Sequence, residues 1–311
     1  MGTTYHVTLV SSPGRSGDGL QEAIDRRLDE VNRQLSTWLE DSEISRFNRF
    51  GKIGEAFPVS DDFLRVMTAA AEVHALSDGA WDGTVSPLVA LWGFGPEGPA
   101  LSEPSPERIA AALAGVGFEK IDIRPQGVLV KHDPAVTLDL SSIAKGYGVD
   151  AVGEVLRERG LDDFLVEIGG EVLASGSRRD GGPWRVGINR PDPAAGPREI
   201  YAVVPLSDQA LATSGDYRSY VMKDGRRRSH VIDPRTGQPV TNGVVSASVL
   251  APTCTMADGL ATAVMVMGPA AGLALVERLA GVEALMVVAR PGGFLEEHPS
   301  SGFQAQDASG S

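Results

Sequence analysis

The middle of the chain is a succession of short strand-like segments, and this pattern constrains the fold more than any other feature. Eight short apolar or alternating runs lie between residues 164 and 250, and connections of turn length separate them. Helical patterns lie before and after this region. Strands clustered between helical blocks favour an α+β protein with a largely antiparallel sheet over a doubly wound α/β protein.

The same periodicities predict the individual elements. We expect helices over 19–38, 61–76, 106–113, 143–159, 255–267 and 269–279. We expect strands over 5–10, near 121, and over 128–130, 136–138, 164–168, 171–174, 184–188, 200–204, 210–213, 217–222, 230–232, 244–250 and 284–288. Residues 79–106, which are rich in Gly, Pro and Trp, are predicted to form a long loop. Residues 1–303 should form one domain or two intimately packed lobes, followed by a disordered tail over 304–311.

The charge balance excludes some partners. The 28 basic and 41 acidic residues give a formal net charge of −13, which has the wrong sign for a surface that follows a nucleic-acid backbone. A small anion would have to be bound locally, by a metal ion, backbone N–H groups or a few basic side chains. The single cysteine, Cys254, permits neither an internal disulfide nor a zinc cluster.

No transmembrane segment is predicted. The apolar, uncharged stretch 260–276 has 17 residues and contains Gly268 and Pro269, whereas about 20 apolar residues are needed to span a bilayer. The first residues enter a strand-like pattern directly, without the basic and then apolar segments of a secretory signal.

A first candidate site lies at Asp139-Leu140-Ser141-Ser142-Ile143-Ala144-Lys145-Gly146-Tyr147-Gly148. A carboxylate at a strand end is followed there by two hydroxyls and a helix start, where free N–H groups and the positive end of the helix dipole suit a diphosphate. The structural alternative is a helix start capped by Asp139 or Ser141.

A second candidate is the pair Asp258 and Thr262, four residues apart on one face of an otherwise apolar helix. Their oxygens could bind a hard cation such as Mg²⁺. The structural alternative is a capping aspartate and a threonine bonded back to its own helix.

A third candidate is His230, which ends a strand just before an Asp-Pro turn. A histidine in that position can act as a general base or hold a reacting hydroxyl; the alternative is an ordinary surface histidine. The glycines of 93–98 formally match a dinucleotide-binding pattern, but Pro96 prevents a helix from starting in register there.

Taken together, these three motifs resemble one family, the ApbE flavin transferases. The similarity runs through ten collinear blocks: MGTTYHV (1–7), LSTWLEDSEISRFN (35–48), GAWDGTVSPL (79–88), LVALWGFGP (88–96), DLSSIAKGYGVDAV (139–152), FLVEIGGEVLASG (164–176), WRVGINRP (184–191), ATSGDYRSY (212–220), SHVIDPRTGQPV (229–240) and ADGLATA (257–263). The resemblance implies an α+β fold related to the T-fold.

The resemblance also implies an activity. Such an enzyme is an Mg²⁺-dependent FAD:protein FMN transferase, which splits the FAD diphosphate, releases AMP and joins FMN to a threonine or serine hydroxyl of an acceptor flavoprotein. The family's acceptors are subunits of membrane redox complexes. Two alternatives share the same sequence features: an FAD diphosphatase that yields FMN and AMP, and a flavin-binding module without catalysis.

The resemblance assigns roles to residues by position. Met1, Trp38, Ala80, Trp81, Asp82, Asp139, Lys145 and Ile232 would line the FAD site. The metal would lie among the Ser142 carbonyl, Asp258, Ala261 and Thr262, and His230 would lie beside the reacting groups. Trp38 and Trp81 would offer flat faces for stacking.

The sequence also departs from the family at two points. Trp38 stands where many relatives have tyrosine, so a stacking face is kept while a hydroxyl is lost. Relatives usually carry a signal or lipoprotein segment before the first motif. We therefore expect a periplasmic protein, or one anchored on the periplasmic side of a membrane, from which that segment has been trimmed.

Overall fold

The computed structural model describes residues 2–10, 18–94, 98, 103–192, 194–196, 199–216, 220–223 and 226–307. Its helices are α1 (Leu20–Leu35), α2 (Glu43–Arg49), α3 (Asp61–Leu76), α4 (Ser86–Leu91), α5 (Pro106–Leu113), α6 (Ser141–Glu158) and α7 (Cys254–Val276). Its strands are β1 (Tyr5–Leu9), β2 (Ala56–Pro58), β3 (Ile121–Arg124), β4 (Val128–Lys131), β5 (Phe164–Ile168), β6 (Glu171–Ser175), β7 (Trp184–Asn189), β8 (Ile200–Leu206), β9 (Gln209–Gly215), β10 (Tyr220–Lys223), β11 (Arg226–Ser229), β12 (Ile232–Asp233), β13 (Gln238–Pro239), β14 (Val244–Ala251), β15 (Glu283–Ala289), β16 (Leu295–Pro299) and β17 (Gln306–Asp307).

A seven-stranded sheet organises these elements, in the order β1-β5-β6-β9-β14-β15-β16. Every neighbouring pair in it is antiparallel. Two three-stranded sheets, β2-β4-β3 and β17-β8-β7, and two hairpins, β10-β11 and β12-β13, complete the described strands. The structure thus confirms the predicted α+β class with a largely antiparallel sheet.

Both faces of the central strands are buried, and their side chains alternate between two hydrophobic clusters. On β14, Ala247 and Val249 pack with the helices, whereas Leu250 packs toward β7 and β8. Successive residues of a strand point to opposite faces. The sheet therefore lies between a helical layer and the small β17-β8-β7 sheet.

Helix α7 lies in the core of the helical layer. Its length and apolar composition would allow it to cross a membrane, but 61% of its most apolar 18-residue stretch is buried within the protein. Helical geometry breaks at Gly268, with φ 77° and ψ 174°, directly before Pro269. The two helices predicted over 255–267 and 269–279 correspond to the two parts of α7 on either side of this break.

Several helix bounds follow from the caps that the sequence supplies. Helices α3 and α5 have the predicted bounds, and their starts are fixed by the side chains of Ser60 and Ser105, which accept hydrogen bonds from the N–H groups of Phe63 and Arg108. Helix α1 instead ends three residues before the predicted 38, where the Ser36 N–H donates to the Asn32 carbonyl.

Four local predictions are wrong. Residues 79–106 contain helix α4, and residues 136–138 form no strand, because the Asn48 side chain rather than a neighbouring strand bonds the Leu138 N–H and C=O. Residue 230 precedes β12 rather than forming part of a strand. The tail predicted from 304 includes β17, which pairs with β8, so disorder is wrong for 306 and 307; residues 308–311 lie outside the described residues.

An ion pair joins three helices of the helical layer. Arg27 of α1 donates to both carboxylate oxygens of Asp62 at the start of α3, at 2.5 and 2.7 Å, and the Tyr147 hydroxyl of α6 donates to the same carboxylate. The Arg27 hydrogen bonds lower the pKa of Asp62 from 3.8 to about 2. The folded state therefore favours the ionised carboxylate.

We predict that Asp62→Asn lowers the free energy of unfolding by about 2 kcal/mol at pH 7. Because the pKa is depressed on folding, the contribution of Asp62 is fully present above its ordinary pKa of 3.8 and is lost as the pH falls toward 2. Urea unfolding at several pH values should show the wild-type and variant stabilities converging in this range. Asp61→Asn, which changes the adjacent carboxylate without an Arg27 bond, is the matched control; an equal loss in both variants would contradict the prediction.

Candidate functional site

Helix α6 begins at the first candidate motif. The Asp139 carboxylate accepts a hydrogen bond from the Ser141 N–H at 2.9 Å, and the Asp139 N–H donates to the Gly83 carbonyl at 2.7 Å. The helix starts at Ser141, two residues before the predicted 143, because Asp139 bonds one of the N–H groups left unpaired in its first turn. The N-cap position itself is Leu140, which makes no side-chain capping bond, so the alternative that Asp139 or Ser141 is the N-cap is wrong, although Asp139 does bond the first N–H of the helix.

Helices α6 and α7 are joined at two levels, one helical turn apart. The Gly146 N–H of α6 donates to Asp258 Oδ2 of α7 at 2.9 Å. One turn further along α6, the Asp150 carboxylate accepts from the N–H groups of Cys254 and Thr255, both at 2.8 Å. Asp150 thus caps the start of α7 from a neighbouring helix, and the two contacts fix the position of Asp258.

Lys145 lies between two buried carboxylates. Its ammonium bonds Glu171 Oε1 at the start of β6 and lies 3.7 Å from Asp258 Oδ1. Glu171 and Asp258 are 3% exposed. Within the described part of the chain, Glu171 Oε2 is buried and has no hydrogen-bond partner.

The electrostatics of these three groups are dominated by burial and by one another. Burial raises the pKa of Asp258, and burial together with the charge of Asp258 raises the pKa of Glu171 to about 7. Burial lowers the pKa of Lys145, but the two carboxylates outweigh it and the net shift is upward. One ammonium balances two carboxylates, so the cluster keeps a net negative charge when all three groups are ionised.

The remaining predicted metal ligands lie on the same two helices. The Thr262 hydroxyl, one turn beyond Asp258, shares a hydrogen bond of 3.0 Å with the Ser214 hydroxyl of β9. Ala261 is fully buried beside it, and Ser142 lies in the first turn of α6. Carboxylate, hydroxyl and carbonyl oxygens are the ligands that Mg²⁺ prefers. Asp258 Oδ1 lies beyond hydrogen-bond length from the Lys145 ammonium. These oxygens therefore fit a divalent metal.

A cleft of about 250 Å³ opens beside this cluster. It brings together three predicted FAD-site residues, Trp38, Asp139 and Lys145, with side chains of α1 and the first turn of α6. Trp38 is 88% exposed at its rim, so its ring can receive a flat ligand. Met1, the first predicted residue of this site, lies outside the described residues.

The side chains of the segment Ala80-Trp81-Asp82 are buried in this structure. Trp81 is 2% exposed, and its indole N–H donates to the Ser142 hydroxyl at 2.9 Å. Asp82 accepts from the N–H groups of Thr84 and Phe118 at 2.7 and 3.1 Å. The expectation that Trp81 offers a stacking face is wrong in this structure, because the ring is packed in the core. Through the Trp81 hydrogen bond to Ser142, the segment contacts the first turn of α6.

His230 and Ile232 have surroundings other than the cleft. His230 makes an edge-to-face contact with Phe94, with ring centroids 6.3 Å apart. Ile232 is buried in a small cluster with Leu88 and Trp92. Neither lines the 250 Å³ cleft.

A second acidic group comprises His74, Asp82 and Glu119, whose ligand atoms lie within 4.8 Å of one another. The His74 Nδ1 and both Asp82 oxygens already have partners in the Trp81 carbonyl and in the N–H groups of Thr84 and Phe118. Their arrangement is therefore explained by local hydrogen bonding.

Sequence reasoning missed two residues of the site, Glu171 and Asp150. Glu171 follows the glycine pair Gly169-Gly170 inside a matched block, and a carboxylate at the start of a buried strand was the available signal. Asp150 is half-buried and lies on a helix, with no local partner in the sequence. Its role depends entirely on the packing of α7 against α6.

Comparison with known proteins finds similarity over nearly the whole chain. The ApbE family model matches residues 1–286. An FAD:protein FMN transferase of Vibrio cholerae serotype O1 is 45% identical over 305 residues, which are 98% of this chain and 90% of the relative. The corresponding protein of Haemophilus influenzae is 39% identical over 97% of this chain and 88% of its own length.

Solved structures show the same similarity. The structure of the flavin transferase ApbE from Vibrio cholerae superposes with a TM-score of 0.86 at 45% identity and covers 97% of this chain and 95% of its own. The fold is therefore that of the flavin transferases. The chain belongs to the ApbE family.

We predict that Gly146→Ala lowers the free energy of unfolding by about 1–3 kcal/mol. A Cβ at this position would lie 2.6 Å from the carbonyl carbon of Cys254 and 2.9 Å from the Asp258 Cβ, so α6 and α7 would have to move apart. Gly51→Ala, whose Cβ would have no atom within 4 Å, is the matched control and should change stability by less than about 0.5 kcal/mol. Urea unfolding of both variants decides this, and equal stabilities would contradict the close contact.

Proposed function

We propose that this enzyme is an Mg²⁺-dependent FAD:protein FMN transferase that moves FMN from FAD onto a threonine or serine hydroxyl of an acceptor flavoprotein, with release of AMP. The observation that carries the proposal is the cluster at the junction of α6 and α7, where Lys145 and Asp258 adjoin a cleft with an exposed tryptophan. The names of the family relatives support it.

The cleft suits FAD as a substrate. Trp38 provides a flat apolar surface at its rim, and the start of α6 presents backbone N–H groups and the positive end of the helix dipole. Lys145 supplies a positive side chain in a protein whose formal net charge is −13. A diphosphate between the helix start and Lys145 would have its charge balanced locally.

Asp258 and Thr262, with Ser142 and Ala261 alongside them, are the residues that would hold the metal. Bound there, Mg²⁺ would neutralise the diphosphate oxygens that otherwise repel an incoming nucleophile. Lys145 and the N–H groups of α6 would hold the same diphosphate in place, which aligns it for attack by the acceptor hydroxyl.

In the reaction, the acceptor oxygen forms a bond to the phosphorus of the FMN half while the bond from that phosphorus to the AMP oxygen breaks. His230 does not line the cleft, and its role rests on the family resemblance: it would take the proton from the acceptor hydroxyl, and AMP would leave with the electron pair of the broken bond. Hydrolysis to FMN and AMP is the same reaction with water in place of the acceptor hydroxyl.

The acceptor that we propose is a flavoprotein subunit of a membrane redox complex, and the location is the periplasmic side of a membrane. Both follow from the family resemblance. The acidic charge of the chain is consistent with an acceptor that is a protein rather than a nucleic acid.

We predict that incubation with FAD, Mg²⁺ and an acceptor domain adds one FMN mass to the acceptor, and that EDTA abolishes the addition. Intact-mass spectrometry of the acceptor measures it. Asp258→Asn should lower the rate at least about a hundredfold, because a metal-ligand oxygen is lost. Asp122→Asn, at an exposed carboxylate on β3, is the control and should retain the wild-type rate. Sustained production of free FMN, without labelling of any acceptor tested, would favour the diphosphatase.

We predict that His230→Ala retains FAD binding but slows transfer by about 10²–10⁴-fold, since it removes the proposed general base. FAD affinity can be measured from the change in flavin fluorescence, and transfer from the acceptor mass. A variant with the full transfer rate would exclude His230 from proton transfer.

A further inference from the structure

The two carboxylates beside Lys145 differ in how closely they hold its ammonium. Glu171 bonds it directly, whereas Asp258 Oδ1 lies 3.7 Å away, beyond hydrogen-bond length. Asp258 is also held from its other side by the Gly146 N–H. The Lys145 ammonium therefore pairs mainly with Glu171, and Asp258 Oδ1 makes no direct hydrogen bond to that ammonium.

The pairing of the ammonium with Glu171 rather than Asp258 matters because an ammonium and a divalent cation compete for the same carboxylate. A lysine paired with Asp258 would cancel its charge and repel an incoming metal ion in a buried site, where screening by water is weak. Glu171 draws the ammonium toward β6. Its second oxygen, Oε2, is buried without a hydrogen-bond partner among the described residues, so it can accept a further N–H of Lys145.

The backbone holds Glu171 firmly in this position. It is the first residue of β6, opposite Ile168 of β5, and the turn between them is Gly169-Gly170 with φ of 64° and 107°. Such values favour glycine, and they allow the tight reversal that directs Glu171 toward α6. The side chain is 3% exposed, which limits its ability to reorient.

We propose that Glu171 is a positioning residue for the cation site: it retains the Lys145 ammonium and thereby leaves Asp258 available to the divalent cation. The inference rests on the proposed function in one respect, the binding of a divalent cation at Asp258. Glu171 itself need not contact the cation, FAD or the acceptor.

The net charge of the cluster predicts an order of cation affinities among variants. A purely structural role of Glu171 would not predict that order. With Lys145, Glu171 and Asp258 ionised, the cluster carries −1 in the wild type. It would carry 0 in Glu171→Gln, −2 in Lys145→Met and −1 in the double variant. Cation affinity should follow this order, because each unit of charge acts at short range in a buried site.

The experiment is a titration of each protein with Mn²⁺ alone, at pH 8 and without FAD, followed by electron paramagnetic resonance of the free ion. We expect Glu171→Gln to bind Mn²⁺ at least about tenfold more weakly than the wild type and Lys145→Met to bind at least about tenfold more tightly. The double variant should return to within about threefold of the wild type. Glu171→Asp, which keeps the charge, should bind more tightly than Glu171→Gln.

Two results would overturn the inference. One is a Glu171→Gln affinity equal to that of the wild type; the other is a double variant as weak as Glu171→Gln, which would show that Glu171 acts through packing. If Glu171→Gln does not fold, Lys145→Met decides alone, and an unchanged affinity there counts against the inference. A wild-type protein that binds no Mn²⁺ would instead contradict the metal requirement of the proposed function.

Discussion

The contact between α6 and α7 is the constraint on which the rest of the site depends. Gly146 allows the two helices to approach so closely that its N–H reaches the Asp258 carboxylate, and Asp150 bonds the start of α7 one turn away. Any side chain at position 146 would meet the backbone of Cys254. A small residue at position 146 therefore sets the distance between the groups that would bind the diphosphate and the metal.

The second determining feature is the burial of opposite charges in one place. Burying an ionised carboxylate costs free energy, and burying two adjacent ones costs more. Burial therefore raises the pKa of both Asp258 and Glu171. Lys145 offsets part of this cost but not all of it. A cluster left with net negative charge is suited to a cation, so the residual charge that destabilises the folded state would contribute to metal binding.

The fold and much of the site could be predicted from local patterns. The starts of α3 and α5 follow from the N-cap residues Ser60 and Ser105, a residue type that favours this position. The pairing of Asp258 with Thr262 on one helix face follows from helical periodicity alone. Trp81 shows where such reasoning fails: a tryptophan in a glycine-rich segment resembles a stacking residue, but its burial behind α6 depends on residues far away in the sequence.

The sequence by itself determined the α+β class, the family and the identity of most groups that would bind FAD and metal, because these depend on residue type, periodicity and the order of motifs. Only the tertiary structure decided which carboxylate holds the Lys145 ammonium and which remains available. Glu171 and Asp258 are 87 positions apart, on a strand and a helix. Their distances from one ammonium follow from how β6 and α7 pack against α6, and no local pattern encodes that packing.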